Sequence, residues 1–275
     1  MNAKLFHIFR NTPFGRETLL QSIYFCKRAD ASPVVYIPRH TKFLMYFEND
    51  VVQIDLDTSY LTEPDSAEDH ATDLLTEEGL TPRFLRPKNF TASTLPDIPT
   101  HFDFMCCPRS ISDLSSKIGL GYIGPRVRRI VNEAHFPILL TSPVFKPWKR
   151  IAVLFGGSVN ALNALKLGLR LRWTSGLPLE LFTQKEGKDE DAYRSILRRA
   201  HLKADLERHV DAWHFFDEGP IQKNLYDISH DALVVAGAFG HGLIKDILFG
   251  STVEKIQSEL PNNLLIVGPK YTCAA

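Results

Sequence analysis

The chain has no C-x-x-C pair, no excess charge of either sign and no apolar run near the length of a membrane span. Its four cysteines are Cys26, the adjacent Cys106 and Cys107, and Cys273, and none has the paired spacing of a zinc site. The adjacent pair reads as two residues of a buried strand whose side chains leave on opposite faces. Lys+Arg and Asp+Glu both total 32, so no global field draws the chain to nucleic acid or to anionic lipid, and any anion site has to be local. The roughly 20 consecutive apolar residues of a membrane span are missing. The opening MNAKLFHIFR is interrupted by charge too early for a secretory signal. The expectation is a cytoplasmic protein with neither a membrane nor a nucleic-acid partner.

Several catalytic signatures are also missing. Gly156-Gly157-Ser158-Val159-Asn160 has Asn160 where a nucleophile elbow needs its final glycine, so Ser158 reads as a helix cap. Gly237 to Gly242 has the spacing of a phosphate loop, but Leu243 follows where that loop needs lysine. Gly119-Leu120-Gly121-Tyr122-Ile123-Gly124 matches a dinucleotide fingerprint only formally: it begins a dozen residues after its strand and has no acidic residue in place for a ribose. The histidine groupings, His209 with His214 and His230 with His241, lack metal-ligand spacing. No catalytic residue and no metal ligand is assigned.

What is present is a repeat. The 275 residues, 44% of them hydrophobic, suffice for two domains. The proline-punctuated stretch from Pro143 to Arg150 divides them into residues 1–145 and 146–275. Each part opens with a short apolar strand, Lys4 to Phe9 and Ile151 to Phe155. An amphipathic helix follows, with Leu19, Ile23 and Cys26 in one and Leu162, Leu165, Leu169 and Trp173 in the other, and then a second strand, Pro33 to Ile37 and Leu177 to Phe182. Leu95-x-Asp97-Ile98 before Asp103 matches Leu225-x-Asp227-Ile228 before Asp231. Gly124, Val127, Ile130, Ile138 and Leu139 match Gly250, Val253, Ile256, Leu264 and Leu265 at a constant spacing of 126 residues. The pattern predicts an α/β protein of two doubly wound domains, each with about five mainly parallel strands and four helices. The first part carries an insertion at residues 40–65 whose two apolar runs predict a hairpin.

The site signal is in the second part, where Leu233-Val234-Val235-Ala236 runs into Gly237-Ala238-Phe239-Gly240-His241-Gly242, and Gly250-Ser251-Thr252 opens the last helix. Glycines at a strand's carboxyl end admit a ligand to the backbone, and a helix start adds N–H donors, hydroxyls and the positive end of its dipole. Each feature alone is compatible with a tight turn or a cap; together they point to an anion cradle. The stretch from Asp231 to Ile256 resembles the signature of the universal stress protein family, G-x2-G-x9-G-[ST], with Asn262 to Val267 similar to that family's last strand. The resemblance implies a Rossmann-like fold of the adenine nucleotide alpha hydrolase type. It also implies ATP, with Mg2+ as its companion, bound near the ribose by Gly237 and at the phosphates by Gly240, Gly250, Ser251 and Thr252, with Gly242 a further nucleotide-binding residue.

Two departures accompany the resemblance. Gly156 stands where the family has an aspartate, and Phe239 and His241 flank the glycines where many relatives carry arginine. In the first part no glycine pair follows Cys106-Cys107-Pro108-Arg109, and Pro125 replaces Ser251 after Gly124, so the phosphate cradle is confined to the second part. Arg126, Arg128 and Arg129 read as a solvated helix face, with an anion patch as the alternative. The resemblance further implies that Pro137 to Leu140 and Leu264 to Val267 pair across a two-fold axis, that copies form a homodimer, and that a regulatory protein partner exists. The leading expectation is a nucleotide-binding stress-response protein; the alternatives are a ligand-free interaction scaffold and a slow ATP hydrolase or switch.

Overall fold

A computed structural model describes residues 3–48, 50–61, 63–87, 94–109, 111, 123–185, 187–216, 221–238 and 260–273. The first half contributes strands β1 (Ala3–Ile8), β2 (Ala31–Tyr36), β3 (Lys42–Tyr46), β4 (Val51–Asp55), β5 (Phe84–Leu85), β6 (Asp97–Ile98), β7 (Phe104–Pro108) and β8 (Ile138–Thr141). Its helices are α1 (Pro13–Ala29), α2 (Pro64–Glu77) and α3 (Pro125–Glu133), with a 3-10 turn over Thr58–Tyr60. The second half contributes β9 (Arg150–Leu154), β10 (Leu179–Gln184), β11 (Ala212–Phe216), β12 (Ala232–Gly237) and β13 (Leu264–Val267), with α4 (Val159–Ser175), α5 (Glu190–Arg199), α6 (Lys203–His209) and α7 (Ile221–Leu225).

Ten strands form one sheet in the order β11-β10-β9-β12-β13-β8-β7-β1-β2-β5. Within each half the neighbours are parallel, as the alternation of strand and helix requires. The halves meet where β13 runs antiparallel to β8, with Leu264 opposite Leu140 and Ile266 opposite Ile138. These are the two last strands expected to pair across a two-fold axis, and the pairing joins the halves within one chain. A polar clamp beside the seam adds direction: Asn263 donates to Gln21, Gln21 donates to Ser142, and the Ser142 N–H donates to Asn263 Oδ1 at 2.9 Å.

The sheet buries a cluster on each face. On one face Leu5, Phe25, Cys106, Val153 and Leu165 pack under α1 and α4; on the other Met105, Cys107, Val127, Ile130 and Ile266 pack against α3. Cys106 and Cys107 therefore point to opposite faces, as the strand period demands. The helices α1 and α4 are equivalent turn for turn. Thr12 caps the first by accepting from Gly15 N, and Ser158 caps the second by accepting from Ala161 N. Both end on a left-handed residue, Asp30 and Gly176.

Equivalent residues lie 146 apart in β1 and β9, as Phe9 N–H donating to Tyr36 and Phe155 N–H donating to Phe182 show. They lie 129 apart in β7 and β12 and 126 apart in β8 and β13. Most of the shift comes from extra residues in the first half between its second strand and β7. The expected hairpin is there as β3 and β4, extended by β6 into a separate three-stranded sheet. This corrects one sequence match. Asp97–Ile98 is a strand recruited by that hairpin, whereas Leu225 ends a helix and Asp227 lies in the turn after it.

One other reading is corrected. Trp173, placed on the apolar face of its helix, is 67% exposed and lies over His209 with ring centroids 5.1 Å apart. Arg126, Arg128 and Arg129 lie on a solvated helix face, as expected, and each has a partner there: Arg126 pairs with Asp55 and Arg129 with Asp50, of β4 and its turn, while Arg128 donates to Ile123 O at 2.8 Å. The insertion placed carboxylates where that helix face presents its cations.

Candidate functional site

The carboxyl ends of β9, β10 and β12 converge where open α/β sheets bind ligands. After Phe155 the chain turns through Gly156 and Gly157. Gly157 adopts φ +78°, so this turn needs glycine for its conformation, and the residue lies against the Ile196 side chain of α5. Ser158 caps α4, and Val159, the first helical residue, is exposed.

Of the six residues expected to bind nucleotide, Gly237 is among the described residues; Gly240, Gly242, Gly250, Ser251 and Thr252 lie outside them. Gly237 closes β12 directly against the first turn of α4. A Cβ at this position would come within 2.5 Å of the Asn160 carbonyl carbon and 2.7 Å of Ala161 N. Asn160 completes the contact by donating its side-chain amide to Ala238 O, while Ala238 N–H donates to Val267 O at 2.8 Å. Glycine at 237 is thus what lets a helix N-terminus meet a strand end. Asn160 was missed in the sequence because its partner is a backbone atom 78 residues away, which no side-chain motif announces.

At the end of β10, Thr183 is buried and saturated: its hydroxyl donates to Phe155 O and accepts from Trp213 Nε1, both at 2.9 Å. Next to it Gln184 accepts from the Asn224 side chain of α7, and its carbonyl accepts from Tyr193 OH at 3.2 Å. The backbone N–H of Lys185 donates to Phe216 O, so backbone contacts near Thr183 are partly committed to the sheet. Among the described residues no group of three or more His, Cys, Asp and Glu side chains could hold a metal. A groove of about 380 Å3 lined by Arg194, Leu197, Lys203 and Trp213 lies at the opposite, amino-terminal end of β11 and takes no part in this site.

The equivalent corner of the first half is built differently. The spacing of 146 residues puts Arg10 where the second half has Gly156, and the spacing of 129 puts Pro108 where it has Gly237. Arg10 lies 3.6 Å from Asp57 and 5.3 Å from the Tyr60 ring centroid, and Tyr60 is buried. The insertion thus folds over the strand ends of its own half.

No family model matches the chain. It is 24% identical over 174 residues to a universal stress protein of Synechocystis sp., a match that covers 61% of this chain and 58% of that protein's length. A universal stress protein of Archaeoglobus fulgidus superposes with a TM-score of 0.60 at 13% identity, over 96% of this chain and 98% of its own. A candidate universal stress protein of Pseudomonas aeruginosa superposes with a TM-score of 0.55 at 13% identity, over 98% and 94% of the two chains. No helix among the described residues is long and apolar enough to cross a membrane.

Proposed function

We propose that this chain, a tandem protein of the universal stress protein type, binds a nucleotide through its second half and acts as a stress-response or regulatory binding protein rather than a dedicated enzyme. The ligand we assign is ATP, accompanied by Mg2+; residues 1–145 and 146–275 are the two domains, and two chains form a cytoplasmic homodimer. The observation that carries the reading is the contact of Gly237 with the first turn of α4, which sets a strand end and a helix N-terminus side by side. In the sequence, Gly240, Gly242, Gly250, Ser251 and Thr252 supply the remainder of the cradle from this strand end onward.

Magnitudes set what the site must contain. A helix terminus contributes ~0.3 to 1 kcal/mol per charge, whereas micromolar affinity needs about 8 kcal/mol. Nucleobase contacts near Gln184 and Asn224 and a divalent ion on the phosphates supply the balance in this reading. Native mass spectrometry of chain purified without added nucleotide, followed by calorimetric titration with ATP and Mg2+, tests it. Copurified nucleotide, or heat of binding that Gly240→Val abolishes, is the expected result; no bound mass and no heat at millimolar ATP overturns it.

A second reading, a ligand-free interaction scaffold, is favoured by one observation: the polar groups at the base end, Thr183 and Gln184, already bond to one another's surroundings. It predicts the same fold with no nucleotide-dependent change in stability.

A further inference from the structure

The ten-stranded sheet has two edges, and they are built differently. At one edge β5 is two residues long, set between Pro82-Arg83 and Arg86-Pro87. The small sheet is closed in a similar way. Its strand β6 is two residues between Pro96 and Pro99, and β4, at its other edge, gives carbonyls to α3: Arg126 donates to Asp55 O at 3.2 Å and Arg129 to Val51 O at 3.4 Å. Short edges, prolines and cationic side chains are the devices that keep a strand from pairing with another chain.

The other edge of the large sheet, β11, has none of them. It is five residues long and reads Ala212-Trp213-His214-Phe215-Phe216, with no acidic residue, lysine, arginine or proline. Among the described residues its strand neighbour is β10 alone, and the backbone bonds at its two ends, Asp211 N–H to Leu179 O and Lys185 N–H to Phe216 O, go to that side. No residue of β11 is buried, whereas β12 is buried throughout. An aromatic strand with an open outer edge is a template for a further strand.

Its rings are held on both faces. Toward α5, Trp213 and Phe215 stack with centroids 4.6 Å apart, and the Arg194 guanidinium lies over both, at 4.9 and 5.5 Å. On the opposite face His214 and Phe216 lie over Phe182, at 4.7 and 6.0 Å. The rings are thus fixed without being covered, which lowers the entropy cost of presenting them to a partner.

The strand's own pattern selects the occupant. Residues directly opposite each other in an antiparallel pair point to one face, so two copies of a strand pair about a two-fold axis only with one residue facing itself at the centre. For β11 the register that uses all five residues centres on His214. It sets Trp213 opposite Phe215 of the partner subunit, and the reverse, an aromatic cross-strand pair of the favoured kind. The groove of about 380 Å3 lined by Arg194, Leu197, Ala212 and Trp213 opens beside that position. Such a pair also closes: it consumes both open edges, and the protected strands elsewhere stop further growth.

We propose that two copies of this chain associate edge to edge through β11, antiparallel about His214, so that their large sheets become one. This rests on the homodimer of the proposed function and names the surface that forms it.

Sedimentation velocity of the full chain over a dilution series tests both. A monomer–dimer equilibrium is expected. His214→Lys sets two ammonium groups face to face at the axis, on a side chain 44% exposed in the single chain, and is expected to weaken the dimer at least about tenfold with unchanged circular dichroism. In a Cys273→Ser background, where the remaining native cysteines are buried, mild oxidation of His214→Cys is expected to give a covalent dimer. Directly opposed residues lie about 4.5 to 5.5 Å apart at Cα, within disulfide reach. Ala212→Cys, about 13 Å from its own copy in this register, is expected not to cross-link. If His214→Lys alters the circular dichroism, the cysteine pair decides alone. A dimer equally stable with His214→Lys, or cross-linking at 212 as readily as at 214, overturns the surface and leaves the homodimer; a monomer at every concentration overturns both.

Discussion

The two halves share a backbone plan and differ in what they bury. Under α4 the second half packs Val153 against Gly168, whose missing Cβ would otherwise come within 2.6 Å of Val153 Cγ2. At the equivalent positions, 146 residues earlier, the first half has His7 and Ser22, joined by a 2.7 Å hydrogen bond in a fully buried setting. At the strand ends the contrast is Gly156 and Gly237 in one half against Arg10 and Pro108 in the other. The second half ends in a bare glycine corner, whereas in the first half Asp57 and Tyr60 of the insertion pack against Arg10 at the equivalent corner. The shared frame rests on caps and strand pairing, which depend on the backbone; the corners differ because they depend on side chains.

Exchanging residues between equivalent positions breaks this comparison most directly. The largest effect is expected at Gly237: Gly237→Val drives a branched side chain into the backbone of Asn160 and should cost at least about 3 kcal/mol in urea unfolding. A cost under about 1 kcal/mol would mean that α4 can withdraw from β12 freely.

His7 comes next, and its effect depends on pH. Burial lowers its pKa from 6.5 to about 3, so the unfolded chain takes up a proton below pH 6.5 that the folded chain refuses until about pH 3. Stability contributed by the neutral imidazole is present above pH 6.5 and is lost as pH falls toward 3, at roughly 1.4 kcal/mol per unit. The double change His7→Val with Ser22→Gly, which installs the residues of the second half, should flatten the stability profile between pH 6.5 and 4. An unchanged slope would place the acid sensitivity elsewhere.

At the seam, Asn263→Ala leaves the Ser142 N–H and the Gln21 carbonyl oxygen buried without partners and should cost about 2 kcal/mol. A neutral result would show that the β8 and β13 pairing alone fixes how the halves join. The smallest effect is expected from Trp173→Lys, which substitutes the residue that the first half has at Lys27. With its ring exposed, it should leave the melting temperature within about two degrees.

Much of this plan was legible in the sequence. Strand and helix periods, the caps at Ser158, the seam strands and the hairpin of the insertion all rest on local or pairwise patterns, which residue order records. The misplaced elements have a common cause. Trp173 fits a helical period but sits on its outward side, and the carboxylates that pair with the solvated Arg126 and Arg129, Asp55 and Asp50, come from an insertion distant in sequence. The match of Asp97 with Asp227 fails because a hairpin with no counterpart in the other half recruits one of them into a sheet. Asn160 acts through a backbone atom distant in sequence, so composition and motif spacing say nothing of it. Gly237 was legible as a glycine that matters, while its contact with α4 required the fold.

The division of labour between the halves is tested most directly by hydrogen exchange with and without ATP and Mg2+, resolved by peptide. Slowed exchange is expected in residues 155–163 and 232–238, with residues 8–15 and 104–109 unchanged. Equal protection of both halves, or protection confined to the first, would contradict it.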